Sequence, residues 1–260
     1  MSPYTAENKK VKTCLWIKRV DQTPLSNQEV TIRQIKHKFL FGTAAFDLVP
    51  LTNNEYSGKA KETAELCAEK TLALCNAVTL PFYWGQFEPR QGQPRTQQIK
   101  RAAQWCVERN VTLKGHPLCW HTMTADWLLP MSNAEILEAQ KARIRRDVSD
   151  FRGLINMWDV INEAVIMPIF NKYDNGITRI CKELGRIKTI RTMFETARTV
   201  NPSAVLLLND FETSESYDIL IEGCLEAGIQ IDAIGIQSHM HQGWWGVEKT
   251  EEILERFGRF

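Results

Sequence analysis

The 260-residue chain has no run approaching the ~18 apolar residues that cross a membrane as a helix. Its first ten residues, Met1 to Lys10, contain no apolar signal-peptide core, so localisation stays open and a secreted or periplasmic parent remains compatible. No block of basic residues interleaved with aromatics stands out, and 32 basic against 31 acidic residues give a formal net charge of +1. Nucleic acid is therefore not expected as a partner, nor is a membrane. No Gly-x-Gly-x-x-Gly follows a strand-like run, which argues against a phosphate-cradling first turn and a nucleotide cofactor. The seven cysteines (Cys14, Cys67, Cys75, Cys106, Cys119, Cys181 and Cys224) form no Cys-x-x-Cys pair. They read as reduced thiols, mostly small core residues, and a cysteine-built zinc site is not expected.

What is present is a rhythm. Residues 11–36 alternate around a turn at 21–27 and suggest a small N-terminal β-element, with the main domain following from residue 38. Strand-like runs then follow at 38–45, 77–84, 112–120, 156–164, 204–210 and 231–240. Helical stretches lie between them at 55–75, 96–109, 133–151 (capped by Ser132 or Asn133), up to about 200, 214–227 and 248–257. Strand–helix alternation of this kind predicts a parallel sheet with crossover helices. A closed (β/α)8 barrel is favoured over a doubly wound sheet because polar residues recur at one end of successive strands. They are His116 and His121, Asn162 and Glu163, Asn209 and Asp210, and Gln237 and His239. Six strand–helix units are legible, so the chain reads as an incomplete barrel whose open edges offer a route to self-association.

Glu163 is the most informative of these residues. It ends the run Met157-Trp158-Asp159-Val160-Ile161-Asn162-Glu163, where a strand has no structural use for a carboxylate. A carboxyl group held against apolar and aromatic neighbours stays protonated to higher pH, and can then give its proton to a leaving oxygen. Eight tryptophans are many for this length, and some suit the apolar face of a sugar ring.

Four segments together resemble glycoside hydrolase family 10, the endo-β-1,4-xylanase family. They are Gly115-His116-Pro117-Leu118-Cys119-Trp120-His121, Trp158-Asp159-Val160-Ile161-Asn162-Glu163-Ala164, Leu208-Asn209-Asp210-Phe211 and Ile234-Gly235-Ile236-Gln237-Ser238-His239-Met240. Phe87-Glu88-Pro89-Arg90-Gln91-Gly92 is similar to a further turn of that family. The resemblance implies a TIM barrel that hydrolyses internal β-1,4-xylosidic bonds of a polysaccharide or oligosaccharide with retention and without a cofactor. Glu163 would be the general acid/base. Asn162 would bind the sugar 2-hydroxyl, His116 and Trp120 would line the same subsite, and Gln237 and His239 would position the nucleophile and the sugar. Trp84, His121 and Asn209 would support them.

Two departures from the family pattern stand out. The family's nucleophile is a glutamate ending a seventh strand, and no seventh strand is legible, which reads as a truncation. On strand two, a family Glu-Asn-x-x-Lys-Trp pattern is here Thr79-Leu80-Pro81-Phe82-Tyr83-Trp84, and after His121 a Ser-Gln pair becomes Thr122-Met123. The chain thus looks like a divergent member with altered sugar contacts. Two other readings remain. One is a carbohydrate-binding protein that keeps a hydrolase-like cleft. The other is a metal-dependent barrel hydrolase using His116, His121, His239 and His241 with Asp159 or Asp210.

Overall fold

A computed structural model describes residues 12–260 except 34, 36 and 240–242. The chain divides into two compact units. One is Leu40–Trp244, and the other takes the described residues of Met1–Phe39 together with Trp245–Phe260.

The larger unit runs β1 (Gly42–Ala44), α1 (Leu48–Thr52), α2 (Gly58–Leu74), β2 (Ala77–Pro81), α3 (Trp84–Phe87), α4 (Thr96–Val107) and β3 (Thr112–His116). It continues with α5 (Asn133–Asp150), β4 (Met157–Asn162), α6 (Gly176–Leu184), α7 (Arg186–Val200), β5 (Val205–Asp210), α8 (Glu215–Glu226) and β6 (Ala233–Ile236). Among the described residues these six strands form one all-parallel sheet in sequence order, with β1 and β6 at its edges. Within this unit each of β1 to β5 is followed by helix, the arrangement of a TIM barrel, and β6 adds a sixth strand. Strands spaced ~4.8 Å apart would put the two edges of a flat six-stranded sheet roughly 24 Å from each other. Yet residues from β1 through β6 line a single cavity, so the sheet is curled.

Parallel strands are covered on both faces and so read as almost continuous apolar runs. In β4 all residues after Met157 are buried. The core beneath β2–β4 centres on Phe82, whose ring lies 4.9 Å from Trp158, 5.0 Å from Phe151 and 5.1 Å from Phe87. The ring of Trp158 passes directly over Gly115, where an added Cβ would come within 2.2 Å of it. Only glycine allows that close approach.

Two local signals set the helices. Ser132 closes a capping box with Glu135 at the start of α5, as the sequence suggests. The expected single helix running to residue 200 is instead two. Gly185, at φ +80°, ends α6 through a bond from its N–H to the Cys181 carbonyl and starts α7 in a new direction.

α5 also braces the sheet. The buried Arg143 donates to the carbonyls of Phe82, Pro117 (3.1 Å) and Leu118 (2.6 Å), which tie the segments leaving β2 and β3 together. Its Nε lies 3.3 Å from Asp147, a charge contact without hydrogen-bond alignment.

In the smaller unit, the expected turn is present: Asp21 accepts from both the N–H and the hydroxyl of Thr23, and Gln22 adopts φ +69°. The two flanking strands do not extend from it. Among the described residues there, the sole antiparallel pairing is the Lys18–Pro24 bridge. Alternating residues need a second surface to cover one face, and Trp16, Val20, Ile32 and Ile35 are exposed. α9 (Gly246–Phe257) belongs to this unit.

Candidate active site

The polar strand ends converge. A cavity of about 420 Å³ is lined by Ala44 from β1, Thr79 from β2, Lys114 and His116 from β3, Asp159 and Asn162 from β4, Asn209 from β5 and Ile236 from β6. Phe46, Tyr83, Trp120, Glu163, Gln237 and His239 complete the lining. A groove of about 920 Å³ between α7 and α8 is larger, but no carboxylate or imidazole lines it. Chemistry rather than size therefore picks the site.

Glu163 stands one residue beyond β4 with φ +60°, a left-handed conformation that side chains other than Gly, Asn and Asp seldom adopt. Such backbone costs about 1–2 kcal/mol and persists only where its surroundings hold it. The turn throws the carboxyl group into the cavity. One oxygen accepts from Trp120 Nε1 at 2.8 Å and the other from Asn162 Nδ2 at 3.3 Å. Burial pushes the Glu163 carboxyl above the usual glutamate range. Hydrogen bonds from Trp120, Gln237 and Asn162, and the nearby His116, pull the other way without reversing the shift.

Asn162 is buried and fixed. Its Oδ1 accepts from Asn209 Nδ2 at 2.6 Å and from Gln237 Nε2 at 2.9 Å, and its backbone N–H donates to the Cys119 carbonyl. Gln237 Oε1 in turn accepts from His239 Nε2 at 2.7 Å. A chain of amides thus links the ends of β4, β5 and β6. Since both amide donors meet at Asn162 Oδ1, the amide nitrogen of Asn162 is turned toward Glu163.

A second cluster faces the first from β3. The Asp159 side chain, 0% exposed, accepts from His116 Nδ1 at 2.6 Å and pairs with Lys114 Nζ at 2.8 Å. His116 therefore carries its proton on Nδ1 and turns its Nε2 away from Asp159. Phe46, Tyr83 and Trp120 form an aromatic wall, with Tyr83 5.7 Å from Phe46, His116 and Trp120.

Seven of the nine residues singled out by sequence line this cavity: His116, Trp120, Asn162, Glu163, Asn209, Gln237 and His239. The other two lie elsewhere. Trp84 is buried at the start of α3, where it donates to Glu88 at 3.1 Å and lies under the Arg143 guanidinium. His121 sits behind Trp120, 1% exposed, its ring 4.4 Å from Phe170. Burial pushes His121 down to about 4, so its 3.8 Å approach to Glu163 is no ion pair near neutral pH. Asp159 enters the sequence reading only as a metal ligand, and Lys114 does not enter it. Their signal was available, because a carboxylate amid buried Trp158, Val160 and Ile161 requires a partner. Asp210 accepts from backbone N–H groups of Val165 and Glu212, while Ser214 caps α8. Among the described residues no three His, Cys, Asp or Glu side chains form a group able to hold a metal ion. His241 lies outside the described residues.

Comparison with known proteins bears on the family and the fold. The sequence profile described as Glycosyl hydrolase family 10 matches residues 33–260. The chain is similar to an endo-1,4-beta-xylanase/feruloyl esterase of Xylanibacter ruminicola, 26% identical over 208 residues, covering 70% of this chain and 28% of that protein. It is also similar to endo-1,4-beta-xylanase B of Thermotoga neapolitana, 27% identical, covering 67% of this chain and 51% of the relative. The chain thus spans between about a quarter and a half of these relatives. Among solved structures, a family 10 protein from Paenibacillus barcinonensis superposes with a TM-score of 0.68 at 24% identity, covering 84% of this chain and 66% of that one. Xylanase 10B from Thermotoga petrophila, solved with xylobiose, gives 0.65 at 24% identity, covering 80% and 64%. At that identity these structures speak for the fold.

Proposed function

Because the chain belongs to glycosyl hydrolase family 10, we propose that its cavity binds β-1,4-linked xylan and that Glu163 is the general acid/base of a retaining hydrolysis. The observation that carries the reading is the state of Glu163: a carboxyl group whose value is raised by burial, aimed into a cavity and oriented on both oxygens. It gives its proton to the glycosidic oxygen as the bond breaks, then takes one from the water that ends the reaction. Asn162, its amide turned by Asn209 and Gln237, offers an N–H to the sugar 2-hydroxyl beside Glu163. His116 Nε2 offers a second polar contact, and Trp120 and Tyr83 a face for the ring.

A retaining reaction needs a second carboxylate about 5–5.5 Å from the first. Asp159, the other carboxylate lining the cavity, is engaged by Lys114 and His116, and this reading does not give it that role. The nucleophile is the glutamate that the family resemblance expects at the end of a seventh strand. Tyr83, standing in the cavity lining where the family carries a polar residue, replaces a charged contact to hydroxyls with an aromatic face.

The test is release of reducing sugar from xylan by the 260-residue chain beside Glu163→Gln, with xylo-oligosaccharide binding followed in parallel. Aryl xylosides with good and poor leaving groups are then compared. In a protein that also carries the seventh-strand glutamate, the variant is expected to lose turnover of poor leaving groups while sparing good ones. Equal loss on both kinds of substrate would remove Glu163 from the acid role. Binding without turnover by the 260-residue chain is expected if the nucleophile lies on the seventh strand; binding without turnover even when that strand's glutamate is supplied would favour a carbohydrate-binding function.

A further inference from the structure

The left-handed backbone at Glu163 decides where its carboxyl group points, and the residue itself gives no reason to adopt it. Its own peptide groups supply two restraints: the N–H donates to the Asn209 carbonyl at 2.8 Å, and the carbonyl accepts from Met167 N–H at 3.2 Å. The stronger grip lies two residues on, at Val165, and comes from opposite directions. The N–H of Val165 donates to Asp210 Oδ2 at 3.0 Å. Its carbonyl accepts from Arg186 twice, at 3.0 Å from Nε and 2.6 Å from Nη2.

Of the two gripping side chains, Asp210 is itself held. Asp210 ends β5, is fully buried, and uses its other oxygen to accept from Glu212 N–H at 3.0 Å. Arg186 opens α7 directly after Gly185, whose φ of +80° ends α6. Neither residue lines the cavity.

We infer that Asp210 and Arg186 are positioning residues, a clamp that closes on both sides of Val165 and thereby holds Glu163 in its left-handed turn. The inference rests on the reading of Glu163 as the acid/base. Its logic is steric. A glutamate released from restraint returns to φ below zero, and its Cβ then leaves the direction of the cavity. The carboxyl group would exchange its buried place beside Trp120 for solvent. A charge-assisted bond on one side and a two-pronged guanidinium on the other oppose that release at the same residue.

The test uses the Trp120 indole N–H, which bonds directly to Glu163 and reports its ionisation by NMR without any turnover. In the parent chain the Trp120 resonance is expected to move with pH in a step above the ordinary glutamate range. That step should be absent from Glu163→Gln, while Trp120→Phe assigns the signal. In Arg186→Ala and Asp210→Ala the step should vanish or fall back toward the ordinary glutamate range. Arg186→Lys, which keeps one N–H for the Val165 carbonyl, should restore part of it. Asp210→Asn keeps a carbonyl for one of the two N–H groups, as Asp210 itself does once protonated, and should retain more of the step than Asp210→Ala.

Near-UV circular dichroism from the buried aromatic core identifies folded variants, and only these are compared. The parental step in folded Arg186→Lys, Asp210→Asn and either alanine variant would overturn the clamp. Where the chain turns over xylan, kcat of the alanine variants should fall by about 10²-fold, the scale of a misplacement near 1 Å, with KM close to the parent. A protein that shows the Trp120 step but never acts on xylan, even with the seventh-strand glutamate supplied, would defeat the hydrolase reading and leave the clamp standing. Xylan turnover at parental kcat in the folded alanine variants would do the reverse.

Discussion

Lowering the pH from 7 to 4 sets two buried groups of this site against each other. Burial pushes His121 down to about 4 from an ordinary 6.5. Above pH 6.5 its imidazole is neutral in both the folded and the unfolded chain and costs nothing. Between 6.5 and 4 the unfolded chain takes up a proton that the folded one refuses, so stability falls as pH drops. At about 1.4 kcal/mol for each pH unit of displacement, the loss is about 3 kcal/mol by pH 4. Asp210 works in the opposite sense. Burial pushes it up to about 6 from an ordinary 3.8, against the hydrogen bonds from Glu212 and Val165. Below 3.8 it is protonated in both states. Between 3.8 and 6 the unfolded chain releases a proton that the folded one keeps, so stability falls as pH rises, again by about 3 kcal/mol.

Across pH 4 to 6 the two slopes nearly cancel, and single variants should unmask each. His121→Gln removes the acid penalty, so its stability relative to the parent should improve by about 3 kcal/mol between pH 7 and pH 4. Asp210→Asn removes the opposite term and should lose about 3 kcal/mol relative to the parent over the same interval. The assay is urea unfolding at stepped pH, read as the difference between variant and parent, so any constant packing cost drops out. The acidic neighbour Glu163, 3.8 Å from His121, has its own value raised and is protonated over part of this window, which limits its pull. Parallel stability–pH curves for parent and variants would refute the reasoning. So would an imidazole C–H resonance of His121 that titrates near 6.5 in the folded chain.

Trp120→Phe deletes the N–H that donates to Glu163 at 2.8 Å. That bond favours the ionised carboxylate, so the value of Glu163 should rise further. A 13C titration of its carboxyl carbon checks the direction, and a downward shift would contradict it. Gly115→Ala places a methyl group within 2.2 Å of the Trp158 ring in the tightest part of the core. A loss of about 3 kcal/mol is expected, seen as a lower Tm, and an unchanged Tm would mean that β3 and β4 part more easily than their packing indicates.

Much of this architecture was legible because local chemistry and global fold agree. Apolar runs such as Trp158 to Ile161 announce strands covered on both faces, and the cap candidates Ser132 and Asn133 announce the start of α5. Disagreement begins where partners decide. The strands are shorter than their apolar runs, since a residue such as Tyr83 can continue the pattern without a neighbour to pair with. The exposed residues around the Asp21 turn alternate, but alternation without a covering surface yields a single bridge. At the site, the sequence takes Trp84 as a supporting residue and Tyr83 only as a departure from the family pattern, although it is Tyr83 that meets the cavity. β2 has ended at Pro81, so strict alternation no longer tells which of two adjacent aromatics points inward.

The same limit applies with more consequence to Glu163. Its chemical type is plain from sequence, for a carboxyl group ending an apolar strand has few structural uses. Its aim is not, because nothing in a glutamate codes for φ +60°. That conformation is imposed by groups 45 and 21 residues downstream of Val165, one ending β5 and one opening α7. Asp210, which from sequence could merely cap a helix, instead leaves α8 to Ser214 and spends its two oxygens on backbone N–H groups of the loops that frame the cavity. A residue's chemistry is thus local, whereas its direction belongs to the fold. Substitutions that spare every cavity residue but loosen Val165 should therefore damage Glu163 as surely as substitutions that touch it.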